Sequence, residues 1–325
     1  MNPTPQKPHI TLAVAPMEGV MDHTMRRLLS QVGGMDYLVS EFVRVSQYAI
    51  PSHTFKRLVP ENQDQARTTH NHPVYTQLLG SNAELMAQSA LAASEAGATH
   101  IDINFGCPAK RVNGHGGGSV LLQDPNILHE IMHVTRLALP SHIHLSAKIR
   151  LGYEDEERLF DNVDAIESAG TEKLTVHGRT KVDGYKPPAR WEKIGQIQDR
   201  TKMEVVANGD IVDIDSLIRC QAITGCQHFM IGRGSLNNPF VFQEIRSHLA
   251  GKVAPPQQQL VELFLDYSQQ LQQEYDEVAT LGRLKQWCGH LRFNFPVIKA
   301  NLQSLRRCQS TQALNQLIKE LLETR

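Results

Sequence analysis

Over roughly the first 250 residues, short apolar runs rich in β-branched side chains alternate with longer stretches of amphipathic character. The short runs predict strands at residues 11–16, 36–40, 74–80, 100–106, 144–150, 173–178, 203–209 and 227–232. The intervening stretches predict helices, among them 82–96, 125–139, 156–169, 213–224 and 239–249. Asn82 stands as an N-cap with Gly97 beyond the last turn as a stop, and Asp124-Pro125 reads as an N-cap followed by proline at the first helical position. Strand–helix alternation repeated eight times implies a parallel sheet able to close on itself, so the expected fold class is α/β, a (β/α)8 or TIM barrel. An open doubly wound sheet is the competitor. It more often carries a G-x-G-x-x-G turn after its first strand. Here that strand runs into Ala15-Pro16-Met17-Glu18-Gly19.

The texture changes after Leu249. Residues 251–256 (GKVAPP) read as a linker. Leu260, Val261, Leu263, Phe264, Tyr267 and Leu271 then share one helical face, and residues 279–291, 297–307 and 311–322 also look helical. The expected organisation is a barrel over residues 1–250 and a small C-terminal helical bundle over 251–325.

The 325 residues exceed the about 250 of a typical barrel by enough for such an addition. No apolar run approaches the ~20 residues of a membrane helix. Residues 1–9 are polar and proline-rich, unlike a secretory signal. The cysteines, Cys107, Cys220, Cys226, Cys288 and Cys308, are odd in number and form no C-x-x-C pair, which suits free thiols in a cytoplasmic protein. A net charge of −1 gives no hint of nucleic acid, but its distribution does. Between Glu277 and Glu320 there is no acidic residue, while Arg283, Lys285, Arg292, Lys299, Arg306, Arg307 and Lys319 are all present. Such a field attracts a polyanion; a solvated helix surface is the plainer alternative.

A barrel does its chemistry at the C-terminal ends of its strands. Those ends carry Pro16-Met17-Glu18, Glu41, Gln77, Asn104 to Pro108, Lys148, Arg150, His177 to Arg179, Asn208-Gly209-Asp210 and Gly232-Arg233-Gly234. The last two loops occupy the usual phosphate position of a barrel, where glycine admits backbone N–H groups and Arg233 adds fixed charge; tight strand–helix turns would look similar. Lys148 could place a cation against the electron-rich edge of a flavin, with Gln77 offering both donor and acceptor to it. An ordinary strand-end lysine, or a Schiff-base nucleophile, would use the same residue differently. A lone cysteine is most often a small buried hydrophobe. Cys107, however, lies in a polar loop leading to the glycine run 114–118, read as a mobile flap, and its thiol could donate a proton at neutral pH. His129 and His133 have metal-like spacing but fall on an outer helix, so no metal site is expected. Trp191 and Trp287 are expected to pack rather than stack on bases.

In family order, these strand-end motifs resemble those of the tRNA-dihydrouridine synthases, above all N-x-G-C-P at 104–108 and V-N-G-x-G-G-G at 112–118. Met17-Glu18-Gly19-Val20, Glu41-Phe42-Val43-Arg44 and Arg283-Leu284-Lys285-Gln286-Trp287 are most similar to the bacterial C subfamily, whose target is uridine 16 of the D-loop. Phe105 departs from that branch, where a smaller residue is expected. The resemblance implies FMN in the barrel mouth, with NADPH or NADH as reductant. Pro16, Met17 and Glu18 would contact the ring, Gln77 and Lys148 its polar edge, and His177 the ring or ribityl chain. Asn208, Gly209, Asp210, Gly232 and Arg233 would hold the phosphate end. It further implies Cys107 as the catalytic acid, tRNA as partner, and Arg44, Asn104, Tyr185, Arg283, Lys285 and Arg306 as RNA contacts. A monomer is expected. The alternatives are an FMN barrel acting on a free pyrimidine, as a dihydroorotate-type oxidoreductase does, and a non-catalytic RNA-binding protein.

Overall fold

The computed structural model describes residues 10–253 and 259–323; residues 1–9, the second half of the expected linker and residues 324–325 lie outside it. The strands are β1 (Thr11–Val14), β2 (Tyr37–Val39), β3 (Val43–Arg44), β4 (Val74–Leu79), β5 (His100–Asn104), β6 (His144–Gly152), β7 (Lys173–Thr180), β8 (Glu204–Asn208) and β9 (His228–Ile231). Every pairing between them is parallel, and β2, which pairs with β1 on one side, pairs with β4 on the other, so the sheet is a closed barrel. The two-residue β3 has no counterpart in the hydrophobic pattern. It joins β4 beyond the point where β2 leaves it, Val43 opposite Leu78 and Val39 opposite Tyr75, so β2 and β3 act as one interrupted stave of an eight-stranded (β/α)8 barrel.

Alternate strand positions face opposite sides of a sheet. Leu12 and Val14 of β1 join the large core between strands and helices, while Ala13 and Ala15 belong to a separate inner cluster with Tyr37, Val39, Tyr75, Val206 and Met230. Phe105 follows the same parity. It is fully buried in the outer core, so the bulky departure packs among helices and leaves Asn104 facing inward.

The helix Ala83–Glu95 starts where Asn82 accepts a bond from the Leu85 N–H at 2.9 Å and stops before Gly97 at φ +109°. Pro125–Ala138 starts on Asp124 in the same way. After the barrel come the helices Leu260–Glu274, Glu277–Leu291, Pro296–Ala300, Leu302–Arg307 and Thr311–Glu323. The single helix expected at 297–307 is broken at Asn301, whose side chain donates to the Val297 carbonyl at 2.9 Å and competes with the backbone for it. The Trp287 indole N–H donates to the Leu236 carbonyl at 3.2 Å, and its ring stacks on Phe264, fastening these helices over the end of β9.

Candidate active site at the barrel mouth

The C-terminal ends of the strands surround a cavity of about 880 Å³. Its size falls in the range of about 300–1,000 Å³ usual for small-molecule sites. Pro16, Met17 and Glu18 line one wall after β1; Asn104, Gly106 and Cys107 line another after β5. Lys148, His177, Asn208, Gly209, Asp210, Gly232, Arg233 and Tyr185 complete most of the ring. Strand register explains the gathering, because Asn104 pairs with Lys148 and His177 with Asn208.

Lys148 donates to the Asn208 side-chain oxygen at 3.1 Å. Burial, helped by nearby Arg150, lowers the lysine to about 8. The Asn208 amide in turn donates to the Met230 carbonyl at 2.8 Å. His177 is also buried; that burial, together with Lys148, Arg150, Arg179 and Arg233 around it, keeps the imidazole neutral well below its usual range. Gln77 does not line the cavity. Its carbonyl accepts from the Asn104 amide at 2.8 Å and its own amide donates to Asp102 at 2.7 Å, so it sits beneath Asn104 and fixes that side chain.

Two glycine positions are dictated by geometry. Gly209 has φ +117°, and a Cβ there would come within 3.0 Å of both Ala189 and His177. Gly118 has φ +68°, and a Cβ there would press to 2.7 Å from the Cys107 carbonyl. That carbonyl also accepts from the Ser119 N–H at 3.1 Å, the Ser119 hydroxyl at 2.9 Å and the Asn113 amide at 3.0 Å. The root of the glycine-rich segment is therefore stapled to the cysteine loop, which corrects the reading of the whole run as a flap; only Gly114, His115 and Gly116 are exposed at its tip. The Cys107 thiol is half-buried, and burial, aided by the charge of Glu18, pushes it above the ordinary thiol range despite a hydrogen bond from the Ala109 N–H. It is a protonated acid at neutral pH, not a thiolate.

Asp210 departs from its expected part. Its carboxylate accepts from Arg179 at 2.6 and 2.5 Å and from the Ala189 N–H at 2.7 Å, so only its backbone N–H is left to face an anion. Arg179 is fully buried, and Arg150 nearly so, with bonds to the carbonyls of Gly106, Thr180 and Gly184. Both arginines lie at strand ends; the signal in the sequence is the place of Arg150 between Ile149 and Leu151 on β6, and Arg179, between Gly178 and Thr180 on β7, has no such signal. His290 and Phe293, from the helical segment, also line the mouth.

A family model, Dihydrouridine synthase (Dus), matches residues 13–322. The chain belongs to the dihydrouridine synthase family. Members of it are flavin-dependent oxidoreductases of tRNA uridine, and this one is 39% identical over 94% of its length, and 98% of the relative's, to a "tRNA-dihydrouridine(16) synthase" of Aquipseudomonas alcaligenes. A relative of the same name from Pseudomonas syringae pv. tomato is 41% identical, over 91% of this chain and 94% of that one. Among solved structures, the 6-hydroxypseudooxynicotine amine oxidase of Pseudomonas geniculata N1 aligns at TM-score 0.56 with 13% identity, covering 74% of this chain and 47% of that one. The old yellow enzyme homologue of Zymomonas mobilis aligns at 0.50 with 12% identity, covering 75% and 89%. At these identities the likeness is one of fold.

Of the RNA contacts expected of this dihydrouridine synthase, Asn104 and Tyr185 line the mouth, and Arg44, Arg283, Lys285 and Arg306 do not. Arg44 is half-buried on β3, close enough for its charge to favour the Cys107 thiolate. Tyr185 is exposed, with the guanidinium groups of Arg150 and Arg233 each 5.2 Å from its ring centre. Arg306 is exposed. Arg283 and Lys285 are engaged within the protein: Arg283 pairs with Asp22 and lies 4.2 Å over Tyr275, and Lys285 donates to the Cys308 carbonyl at 2.5 Å. His129 bonds the Ala165 carbonyl on the outer helices, at 3.1 Å, away from the mouth. Among the described residues no group of three or more His, Cys, Asp or Glu could hold a metal ion, and no helix is long and apolar enough to cross a membrane.

Proposed function

We propose that the protein reduces the C5–C6 double bond of uridine 16 in the tRNA D-loop, with FMN in the barrel mouth and NADPH, or NADH, as the source of electrons. The observation that carries this reading is a cavity ringed by cationic and neutral donors, with a protonated thiol on its β5 wall. The names carried by the relatives support the choice of uridine.

Bound FMN would supply the hydride for C6 of uracil. The residues present fit such a group. Pro16, Met17 and Glu18 form a wall for a flat ring, and Lys148 meets its electron-rich edge, held in place by Asn208. Gln77 acts one layer below, through Asn104. Neutral His177 faces the same space. Gly209, the Asp210 backbone, Gly232 and Arg233 border one side of the cavity after the last two barrel strands, where backbone N–H groups and one guanidinium suit a phosphate.

Cys107 gives its proton to C5. Burial keeps the thiol protonated until the base arrives, and partial exposure lets solvent restore the proton. The uracil must leave the helix stack to reach the mouth, which costs least in a flexible loop. Residues 1–250 would form the catalytic unit and 251–325 the unit that grips tRNA, with Arg44, Asn104, Tyr185 and Arg306 on the RNA side. Arg283 and Lys285 would shape that face through their internal bonds. The protein would act as a cytoplasmic monomer. A free pyrimidine would need no helical segment at the mouth, where His290 and Phe293 bring it.

Purified protein should be yellow and bleach with NADPH in the absence of oxygen. Colour should return on adding tRNA that lacks dihydrouridine. Return with free uracil or orotate, but not with tRNA, would contradict the reading.

A further inference from the structure

The rim of the mouth contains an aromatic side chain that the reaction as described does not use. Phe293 lines the cavity yet is 67% exposed. A single exposed ring is ordinary on a protein surface, but this one borders a binding cavity. Its position is built rather than loose. The helix Glu277–Leu291 ends in a turn where the Phe293 N–H donates to the His290 carbonyl at 3.1 Å and the Phe295 N–H to the Leu291 carbonyl at 2.9 Å. Phe295 is buried, so it pins the turn from inside while Phe293 points outward. One helical turn earlier, Trp287 bonds the end of the barrel through Leu236. The backbone that carries the ring is thereby fixed relative to the cavity.

Tyr185, the other exposed ring at the mouth, already has two guanidinium groups over it. Phe293 has one, Arg292, 4.7 Å from its centre. A guanidinium backing one face and solvent on the rest is the arrangement single-stranded nucleic acid exploits, since every base offers a π face to an aromatic platform.

Resting on the proposed function, we infer that Phe293 stacks against the nucleobase next to the everted uridine and holds the D-loop open while the uridine occupies the cavity. Phe293 is thus a residue that positions the substrate, contributed to the barrel site by the helical segment. Arg292 supports it by cation–π contact.

The test uses the full-length, FMN-loaded protein and tRNA lacking dihydrouridine, with 2-aminopurine replacing the base 5′ or 3′ of the target uridine. Wild-type protein should quench the fluorescence at one of these positions. Phe293→Leu, which keeps apolar bulk but loses the π face, should abolish the quenching and raise KM for tRNA about tenfold, with the loss falling on KM rather than kcat. Phe293→Trp should restore both. A leucine variant with wild-type KM and quenching, or a tryptophan variant that restores neither, would overturn the inference while leaving the proposed function intact. Wild-type protein that forms no dihydrouridine in tRNA would overturn both.

Discussion

The two ends of this barrel are built from similar side chains and do opposite things. At the N-terminal end, Tyr37, Tyr75, His100 and His144 stack in one continuous row, with ring centres 4.2, 4.0 and 4.6 Å apart. Lys173 lies 4.8 Å over Tyr37 and pairs with Glu204 at 2.7 Å, and Glu204 also meets His228 at 3.5 Å. Charges and rings there answer one another. At the C-terminal end, Lys148, His177, Arg179, Arg233 and Tyr185 surround space instead. The same strands supply both sets, Lys173 and His177 on β7 being four residues apart. What separates a plug from a site is that the rings of one end stack on one another, whereas the side chains of the other border a cavity.

Substitutions at the two ends should therefore separate chemistry from stability. Cys107→Ala at the open end should cut dihydrouridine formation by ~10²–10⁴-fold, the usual contribution of a general acid, while flavin content and melting temperature change little. Product formed at the wild-type rate would remove the thiol from the mechanism. Tyr75→Ala at the plugged end should do the reverse, lowering unfolding free energy by about 3 kcal/mol in denaturant titrations while activity per folded molecule holds. An activity loss without a stability loss there would erase the contrast between the ends.

A smaller effect is expected from pH. Burial, with His144 and Lys173 close by, lowers His100 to about 3. The folded protein keeps this ring neutral, whereas the unfolded chain takes up a proton below about 6.5. Stability is thus fully present above about 6.5 and is lost as pH falls toward 3. His100→Phe keeps the stack and removes the titration, so its melting temperature should fall less between pH 7 and pH 5 than the wild type's. Equal slopes would show that other buried histidines, such as His177, carry the acid sensitivity.

Much of the barrel was legible because strand periodicity and strand-end chemistry are local. Inward parity placed Asn104, Lys148, His177 and Asn208 together once the strands were aligned. The same parity could have sent Phe105 outward, away from the mouth. Partnerships were not legible. A sequence does not say that Asp210 turns its carboxylate to Arg179, that Gln77 serves Asn104, or that Arg283 pairs with Asp22 some 261 residues away. Nor does a run of basic residues distinguish Lys285, bonded inside, from exposed Arg306. No local pattern puts His290 and Phe293 at the mouth, because their place there depends on how the helical segment docks.

The central claim is that the open end reduces a tRNA uridine with a proton drawn from an exchangeable protein group. It is tested most directly by incubating purified protein, NADPH and unmodified tRNA in heavy water without oxygen, then mapping the tRNA by mass spectrometry. The account predicts dihydrouridine at position 16 carrying one solvent deuterium at C5. Product that carries no solvent deuterium at C5, or no dihydrouridine at that position, would contradict it.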